Sequence, residues 1–317
     1  MSSKKVVRIA QWQRVILPYL PLYIADVAGY FTELGIKVRI DPVGNDDQVF
    51  REVLKGKAMI GIGDPTFCAR IENQSQPVKV IATLVERAAM WGLTENPIVR
   101  PIERVEDLVH LRVGTYPQPS TSYALLASLK AKHSRLLKSF KIIEGPIEQQ
   151  IQLFKKDKCD IVTDNEPFIS IAEDQGLRIV YSSPEFHAPL TFTGAYMRLS
   201  TITEDPETVA NFVTGIEKGL SAVRKDKKLA LHVAKKLYPD VGERILSNAL
   251  QRLRAAKIWG RDAFTSEENW SEALRIRKLL GGRFLRNPQQ AVVNDFTANY
   301  KKTYLLPSKA KRPSKNS

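Results

Sequence analysis

Acidic and hydroxyl side chains follow two short apolar segments, where they could bind the polar groups of a small molecule. Residues 58–63 are almost all apolar, and Asp64 and Thr66 come directly after them. A second apolar pair at 161–162 is followed closely by Glu166. Carboxylates accept hydrogen bonds from a ligand, and they can also act as proton donors or acceptors in catalysis. For Asp64 there is an equally good alternative, since a carboxylate at this place could simply cap the helix that Pro65 would begin.

Three hydroxyl residues precede another helical pattern, and they could bind an anion. Ser120, Thr121 and Ser122 follow a predicted strand at 111–115 and come before the apolar stripe of a helix. Hydroxyls and free N–H groups at the start of a helix favour negatively charged groups. Plain helix capping is the alternative, and the position after a strand's carboxyl end favours ligand contact.

Further candidates lie near the same expected edge. They are the loop residues Gln11, Trp12 and Gln13, the aromatic residue Tyr19, the basic and aromatic pair Arg87 and Trp91, and His187. An arginine beside an aromatic ring suits a carboxylate, sulfonate or phosphate group. The alternatives are that Trp12 closes the edge of a sheet, and that Arg87 and His187 are surface residues.

The elements that must position these side chains alternate between helix and strand. Pro21 and Gly29 bracket an apolar helical stripe. Residues 36–40 alternate as a strand does, and 45–55 form an amphipathic helix before the apolar strand 58–63. Such alternation predicts an α/β fold with a parallel sheet, whose ligands bind beyond the carboxyl ends of the strands.

A partial internal repeat predicts two similar lobes. Residues 50–67 and 150–168 each read as an amphipathic helix, a lysine-rich turn, a short apolar strand, and then an acid, a proline and a phenylalanine. Two such units facing one another would place Asp64 and Glu166 on opposite sides of one cleft. From Asp205 onwards the pattern is helical.

The net charge of +14 is concentrated at the two ends of the chain. Residues 1–8 carry three basic groups and 301–317 carry six, with no acids in either segment. We therefore interpret 301–317 as a basic, disordered tail, and expect no specific nucleic-acid partner. The alternative is a nucleic-acid binder that uses this tail.

Several common sites and segments are missing from the sequence. No apolar run is long enough to span a membrane, and no secretory signal precedes the first strand. We expect a cytoplasmic protein as the sequence is written, or a periplasmic or extracellular one if an export signal has been removed. The four histidines and two cysteines have no metal-ligand spacing, and no nucleotide-binding motif occurs, so we expect no metal and no cofactor.

Several segments together resemble a known family of binding proteins. They are PLYIADVAGYFTELGIKVRI, LKGKAMIGIGDP, VEDLVHLRVGTYPQPSTSYALLASL and KKDKCDIVTDNEPF. Their order resembles the solute-binding proteins of ABC transporters for nitrate, sulfonates, taurine and thiamine precursors. The resemblance implies a two-lobed type II periplasmic-binding-protein fold with a helical C-terminal region. It places 1–92 and 197–300 in lobe I and 93–196 in lobe II.

The resemblance implies a protein that closes two lobes around a small polar ligand, anionic or heteroaromatic, and a possible ABC permease partner. It places ligand contacts at 11–13, 64–66 and 120–122, and near Glu166. The family also includes cytoplasmic enzymes, a pyrimidine-precursor synthase and a sulfinate desulfinase. If this chain were such an enzyme, Cys68, His187 and Glu166 would be the candidate catalytic residues.

Overall fold

The computed structural model describes residues 5–70, 75–156 and 158–300. Its core is two five-stranded sheets, each covered by helices. The strands of the first sheet, in spatial order, are β2 (Ile36–Gly44), β1 (Lys5–Trp12), β3 (Ile60–Gly63), β10 (Thr193–Arg198) and β4 (Val78–Val85). Those of the second are β7 (Lys141–Glu144), β6 (Arg112–Thr115), β8 (Ile161–Asp164), β5 (Trp91–Thr94) and β9 (Arg178–Ser182). The expected α/β class is confirmed.

The two sheets follow the same plan. In each, three strands are parallel, and the fourth strand in spatial order is antiparallel to both of its neighbours. That antiparallel strand is β10 in the first sheet and β5 in the second. We call the first sheet with its helices lobe I, and the second sheet with its helices lobe II.

The chain crosses between the sheets twice, at 86–90 and at 183–192. The boundaries that the sequence placed at 92 and 196 therefore fall inside β5 and β10. The apolar pattern runs from Val78 through Leu93 with little interruption, so no change in composition marks the first crossing.

Helices cover both sheets and complete lobe I. The helices of the first 186 residues are α1 (Leu20–Val27), α2 (Tyr30–Glu33), α3 (Asp46–Leu54), α4 (Thr121–Lys132), α5 (Gln152–Lys155), α6 (Phe168–Asp174) and α7 (Ser183–Phe186). The later helices are α8 (Leu199–Glu204), α9 (Pro206–Lys225), α10 (Lys227–Leu237), α11 (Glu243–Ala255), α12 (Glu267–Lys278) and α13 (Asp295–Tyr300). Short 3-10 turns occur at Leu17–Tyr19, Pro65–Ala69, Val105–Leu108, Ile147–Gln149 and Pro288–Ala291.

The C-terminal helices also reach lobe II. Helix α11 contacts α6, and α12 contacts α4. The largest apolar core is continuous between the lobes, since it contains Ile9 of the first sheet and Val162 of the second. Within the described residues no helix is both long enough and apolar enough to cross a bilayer.

Candidate functional site

One cleft lies where the carboxyl ends of the parallel strands of both sheets meet. It encloses about 690 Å³ of space outside the protein atoms, with its open mouth included. Aromatic side chains from both lobes line it: Trp12, Tyr19, Tyr116 and Phe192. So do polar side chains, namely Asn45, Asp46, Asp64, Gln118, Ser120, Thr121, Ser122, Asn165 and Thr193. Its size and mixed lining are those of a site for a small organic molecule.

Two rings face one another at the centre of the cleft. Trp12 ends β1 of lobe I, and Tyr116 follows β6 of lobe II. Their ring centroids are 5.3 Å apart, and the planes are inclined by 42°. Both side chains are almost fully buried. The rings therefore close the lobes on one another without any covalent link.

Tyr116 is held by its hydroxyl group. The hydroxyl donates to Asp164 Oδ1, and it accepts a hydrogen bond from Asn165 Nδ2 at 3.2 Å. Burial raises the pKa of Asp164, although Arg14 and the tyrosine hydroxyl oppose the shift, and burial also raises the pKa of Tyr116. Asn165 Oδ1 is buried and has no hydrogen-bond partner among the described residues.

Asp64 is an interlobe ion pair rather than a free carboxylate. It caps the turn at Pro65 by accepting from Thr66 N at 2.8 Å, as expected for an N-cap. Its other oxygen accepts from Thr121 Oγ1 of lobe II, at 2.5 Å, and from Arg277 Nη2 of α12. Burial alone would raise the pKa of Asp64, but Arg277 and the hydroxyl donors lower it overall. The carboxylate is therefore charged and fully partnered.

Arg277 is a functional residue that the sequence did not single out. Its side chain is only 2% exposed, and it donates to the carbonyl of Pro119 at 2.5 Å as well as to Asp64. It thereby joins the C-terminal region to the start of α4 in lobe II. In the sequence it is one of several basic residues in α12, and only its periodic position on the buried side of that helix could have marked it.

Asp46 is a second carboxyl in the cleft, also missed by the sequence. It begins α3 directly after β2, and its Oδ1 accepts the N–H of Asp64 at 3.0 Å. A Cβ at Gly63 would lie 2.7 Å from this oxygen, so glycine is what allows the close approach. Burial and the negative charge of Asp64 raise the pKa of Asp46 to about 6. Its position after a strand's carboxyl end was the available signal.

Glu166 makes a second interlobe ion pair, away from the cleft lining. It is fully buried, and it accepts from Arg252 Nη1 of α11 and from Ser170 Oγ at 3.0 Å. Its backbone carbonyl accepts from Leu17 N of lobe I at 3.0 Å. Burial raises the pKa of Glu166, with Arg252 opposing the shift. Asp64 and Glu166 thus both lie between the lobes, and each is paired with an arginine from a C-terminal helix.

Comparison with known proteins identifies the family. The family model described as NMT1/THI5 like matches residues 18–230 of this chain. The chain belongs to the NMT1/THI5-like family. The comparison with curated proteins found no match.

Solved structures with the same fold confirm the two-lobed periplasmic-binding-protein architecture of this NMT1/THI5-like chain. A protein from Bordetella bronchiseptica RB50 is 17% identical with a TM-score of 0.74, over 96% of this chain and 99% of that one. The alkanesulfonate-binding protein SsuA from Xanthomonas axonopodis pv. citri, bound to MOPS, is 14% identical with a TM-score of 0.70, over 93% and 100% of the two chains. The periplasmic nitrate-binding protein NrtA from Synechocystis PCC 6803 is 11% identical with a TM-score of 0.69, over 96% and 90%.

The cleft brings together six of the residues that the sequence proposed. These are Trp12, Tyr19, Asp64, Ser120, Thr121 and Ser122. Ser120 also caps α4 by accepting from Tyr123 N at 3.2 Å. Both the capping interpretation and the ligand-contact interpretation of this segment are therefore compatible with its place in the fold.

Seven other proposed residues lie outside the lining, namely Gln11, Gln13, Thr66, Arg87, Trp91, Glu166 and His187. Gln11 accepts from the hydroxyl of Tyr23 at 2.7 Å inside lobe I, and Gln13 donates to Glu148 across the lobes at 2.5 Å. Arg87 donates to the carbonyl of Pro184 at 3.3 Å, which joins the two crossings. Trp91 is buried within β5.

The three candidate catalytic residues do not meet in the cleft. Cys68 is buried in the apolar core of lobe I, and this burial raises its thiol pKa well above the ordinary value. His187 lines a different cavity, together with Lys132, Glu272 and Arg275, and burial lowers its pKa to about 4. No cluster of three or more metal-ligating side chains occurs within the described ranges. The basic tail 301–317 lies outside the described residues.

Proposed function

We propose that this protein is a solute-binding protein that closes its two lobes around a small polar molecule. The observation that carries the proposal is the cleft between the lobes, to which each lobe contributes an aromatic ring and hydrogen-bonding groups. Its family and the sulfonate- and nitrate-binding proteins of the same fold support this function.

Closure would be reversible because the contacts across the cleft are hydrogen bonds, ring contacts and ion pairs. Thr121 bonds to Asp64, and Gln13 bonds to Glu148. The two crossings at 86–90 and 183–192 are the natural hinges, since they alone join the sheets along the chain before the C-terminal helices.

The transport setting of the relatives extends the proposal. We propose an ABC-type permease as the protein partner and the periplasm as the place of action, in keeping with relatives described as periplasmic binding proteins. The permease part is tested by reconstituting the candidate permease in vesicles. Liganded protein should stimulate ATP hydrolysis, and no stimulation would contradict the partnership.

Ligand binding is tested on the full chain by native mass spectrometry and calorimetry. A molecule carried through purification, or heat from one member of a panel of sulfonates, nitrate, aminopyrimidines and riboflavin, is expected. Trp12 lines the cleft, so binding should change the tryptophan fluorescence. The Trp12→Phe variant should lose most of that change while calorimetry still reports binding. Neither a carried molecule nor heat from any compound would contradict the proposal.

The enzyme alternative has no comparable support. Cys68 is a protonated thiol away from the cleft, and a thiol must be ionised to act as a nucleophile. His187 and Glu166 also lie outside the lining. A listed similarity of fold to a desulfinase, DszB in complex with biphenyl-2-sulfinic acid, is 10% identical and concerns the fold alone.

A further inference from the structure

We propose that the cleft selects a planar aromatic ligand carrying a cationic or N–H donor group, such as an amine or amidine, which Asp46 and Asn165 would accept. This inference rests on the proposed binding function and specifies the ligand class for that same site. It chooses the donor-bearing aromatic class over the anionic one.

The charge of the lining is the first observation. Its charged side chains are Asp46 and Asp64, and within the described part of the chain no lysine or arginine lines the cleft. A buried anion without a partner is strongly disfavoured. A ligand that brings a positive group or N–H donors would instead compensate the carboxyl of Asp46.

The nearby arginines are already engaged. Arg277 donates to Asp64, Thr66, Thr121 and the carbonyl of Pro119. Asp64 thus stands as a built-in anion beside Arg277, and an anionic ligand would have to displace it. Breaking such a buried pair is costly.

Arg14 is engaged in the same way. It donates to Asp164 at 3.3 Å and to the carbonyl of Ile147 at 3.0 Å. Its guanidinium also stacks over the ring of Phe168, 3.4 Å from the centroid. Neither arginine therefore offers its charge to the cleft.

Asn165 supplies a free acceptor from lobe II. Its side chain is 97% buried, given a relative exposure of 3%. The hydrogen of the Tyr116 hydroxyl goes to Asp164, so the tyrosine oxygen can only accept, and this fixes Asn165 Nδ2 as the donor. Asn165 Oδ1 is then an acceptor without a protein partner in the described structure. Buried acceptors of this kind are normally satisfied, and a ligand donor would satisfy it.

The aromatic side chains favour the same ligand. Trp12 and Tyr116 present ring faces at the centre of the cleft, and Tyr19 and Phe192 also line it. Ring faces are electronegative and attract cations, and they stack with flat apolar groups. Lobe I would then supply Asp46 and lobe II Asn165, with the plane of the ligand between the rings.

Helix starts offer the main opposing argument, because they favour anions. Helices α3 and α4 both begin at the cleft. Each start, however, already faces a carboxylate of the protein. Asp46 lies in the first turn of α3, and Thr121 in the first turn of α4 donates to Asp64. The dipoles are therefore opposed by internal charges.

The experiment compares ligands of one shape and different charge on the full chain. Calorimetry at pH 7.5 uses benzamidine, benzyl alcohol and benzenesulfonate as probes. We expect benzamidine to bind about tenfold or more tightly than either of the others. Asp46→Asn, which keeps the shape of the side chain, should remove most of that preference. Asp47→Asn is the matched control, since Asp47 pairs with Arg51 on the surface of the same helix.

The outcomes separate this inference from the proposed function. Tighter binding of benzenesulfonate, equal binding of all three probes, or an unchanged preference in Asp46→Asn would overturn the ligand class, while binding itself would stand. Heat from none of the probes, together with none from the panel of sulfonates, nitrate, aminopyrimidines and riboflavin, would overturn both.

Discussion

Arg277, in a helix near the C-terminus, donates to the carboxylate of Asp64, more than 200 residues earlier, inside the interface between the lobes. Their side chains are 2% and 3% exposed. The pair also carries hydrogen bonds to Thr121 and to the carbonyl of Pro119 in lobe II. The C-terminal region is therefore part of the ligand-binding architecture.

Removing the arginine alone should strongly destabilise the fold. Arg277→Met leaves Asp64 buried without a countercharge, which costs about 3–5 kcal/mol of unfolding free energy. The double variant Asp64→Asn with Arg277→Met should lose much less than the sum of the single losses. Denaturant titration at pH 7 measures all three variants.

A surface arginine provides the control for that loss. Arg51→Met, whose side chain is 63% exposed, should change stability by less than about 1 kcal/mol. The pair lowers the pKa of Asp64, so its stabilisation is complete above the ordinary carboxyl pKa of about 4 and declines as the pH falls through the lowered value. A fully additive double variant would contradict the ion-pair account.

Loss of one hydroxyl should loosen the closed state. Thr121→Val keeps the size of the side chain and removes its 2.5 Å hydrogen bond to Asp64. We expect a larger radius of gyration in small-angle scattering and weaker ligand binding, with a loss of about tenfold. Thr203→Val is a matched control, because the hydroxyl of Thr203 bonds to the carbonyl of Leu199 within its own helix at 3.0 Å. Equal effects of the two substitutions would rule out a specific latch.

Ligand affinity should depend on pH through Asp46. Its pKa is raised to about 6 by burial and by Asp64, while the backbone N–H of Asp64 and the charge of Arg277 oppose the shift. The hydroxyls of Tyr19 and Tyr196 also lie within its electrostatic reach. The carboxylate form accepts the ligand donor, so benzamidine, which stays protonated, should bind more tightly as the pH rises through about 6.

The control for this pH dependence is the Asp46→Asn variant, which lacks the titrating group. Calorimetry at intervals between pH 5 and pH 8 should give a flat profile for the variant and a rising one for the parent protein. A rising profile in both proteins would assign the effect to another group.

Neither cysteine should react in the folded protein. Cys68 and Cys159 are each 4% exposed, and burial raises the thiol pKa of both, to about 12 for Cys159. A thiol reagent should modify neither at pH 7.5 without denaturant, and both in its presence. Cys68→Ala should retain full ligand binding. Rapid modification of Cys68 in the native protein would revive the enzyme hypothesis.

Local patterns predicted the elements well where the period was clear. The helix after Asp205, the strand before Asp64 and the repeated helix–strand plan of 50–67 and 150–168 all appear in the structure. The expected last helix, however, is a short turn at Pro288–Ala291 and a separate helix, α13. Asn287 caps that turn through its side chain, and the backbone is extended again at Val292. A local cap and turn thus interrupted a pattern that composition alone would have continued.

The charges of the site could not be predicted from local patterns. Asp64 was visible after its strand, but its partner Arg277 lies in an ordinary amphipathic helix far along the chain. The same holds for Glu166 and Arg252. Tertiary pairing decides whether a carboxylate faces a ligand or another side chain, and a single sequence contains no direct signal for such pairing. Asp46 was missed because its helix-start position was interpreted only as part of an amphipathic helix.

The antiparallel strands also constrain how the chain can be made. Strand β10 lies between β3 and β4, yet about a hundred residues separate it from β4 in the sequence, and all of the second sheet is synthesised in that interval. On the ribosome, lobe II can assemble its five strands while the first sheet still has a gap between β3 and β4. Lobe I becomes a complete folding unit only after residue 198, so the earlier half of the chain is the later half to mature, and its open strand edges need protection from aggregation until then.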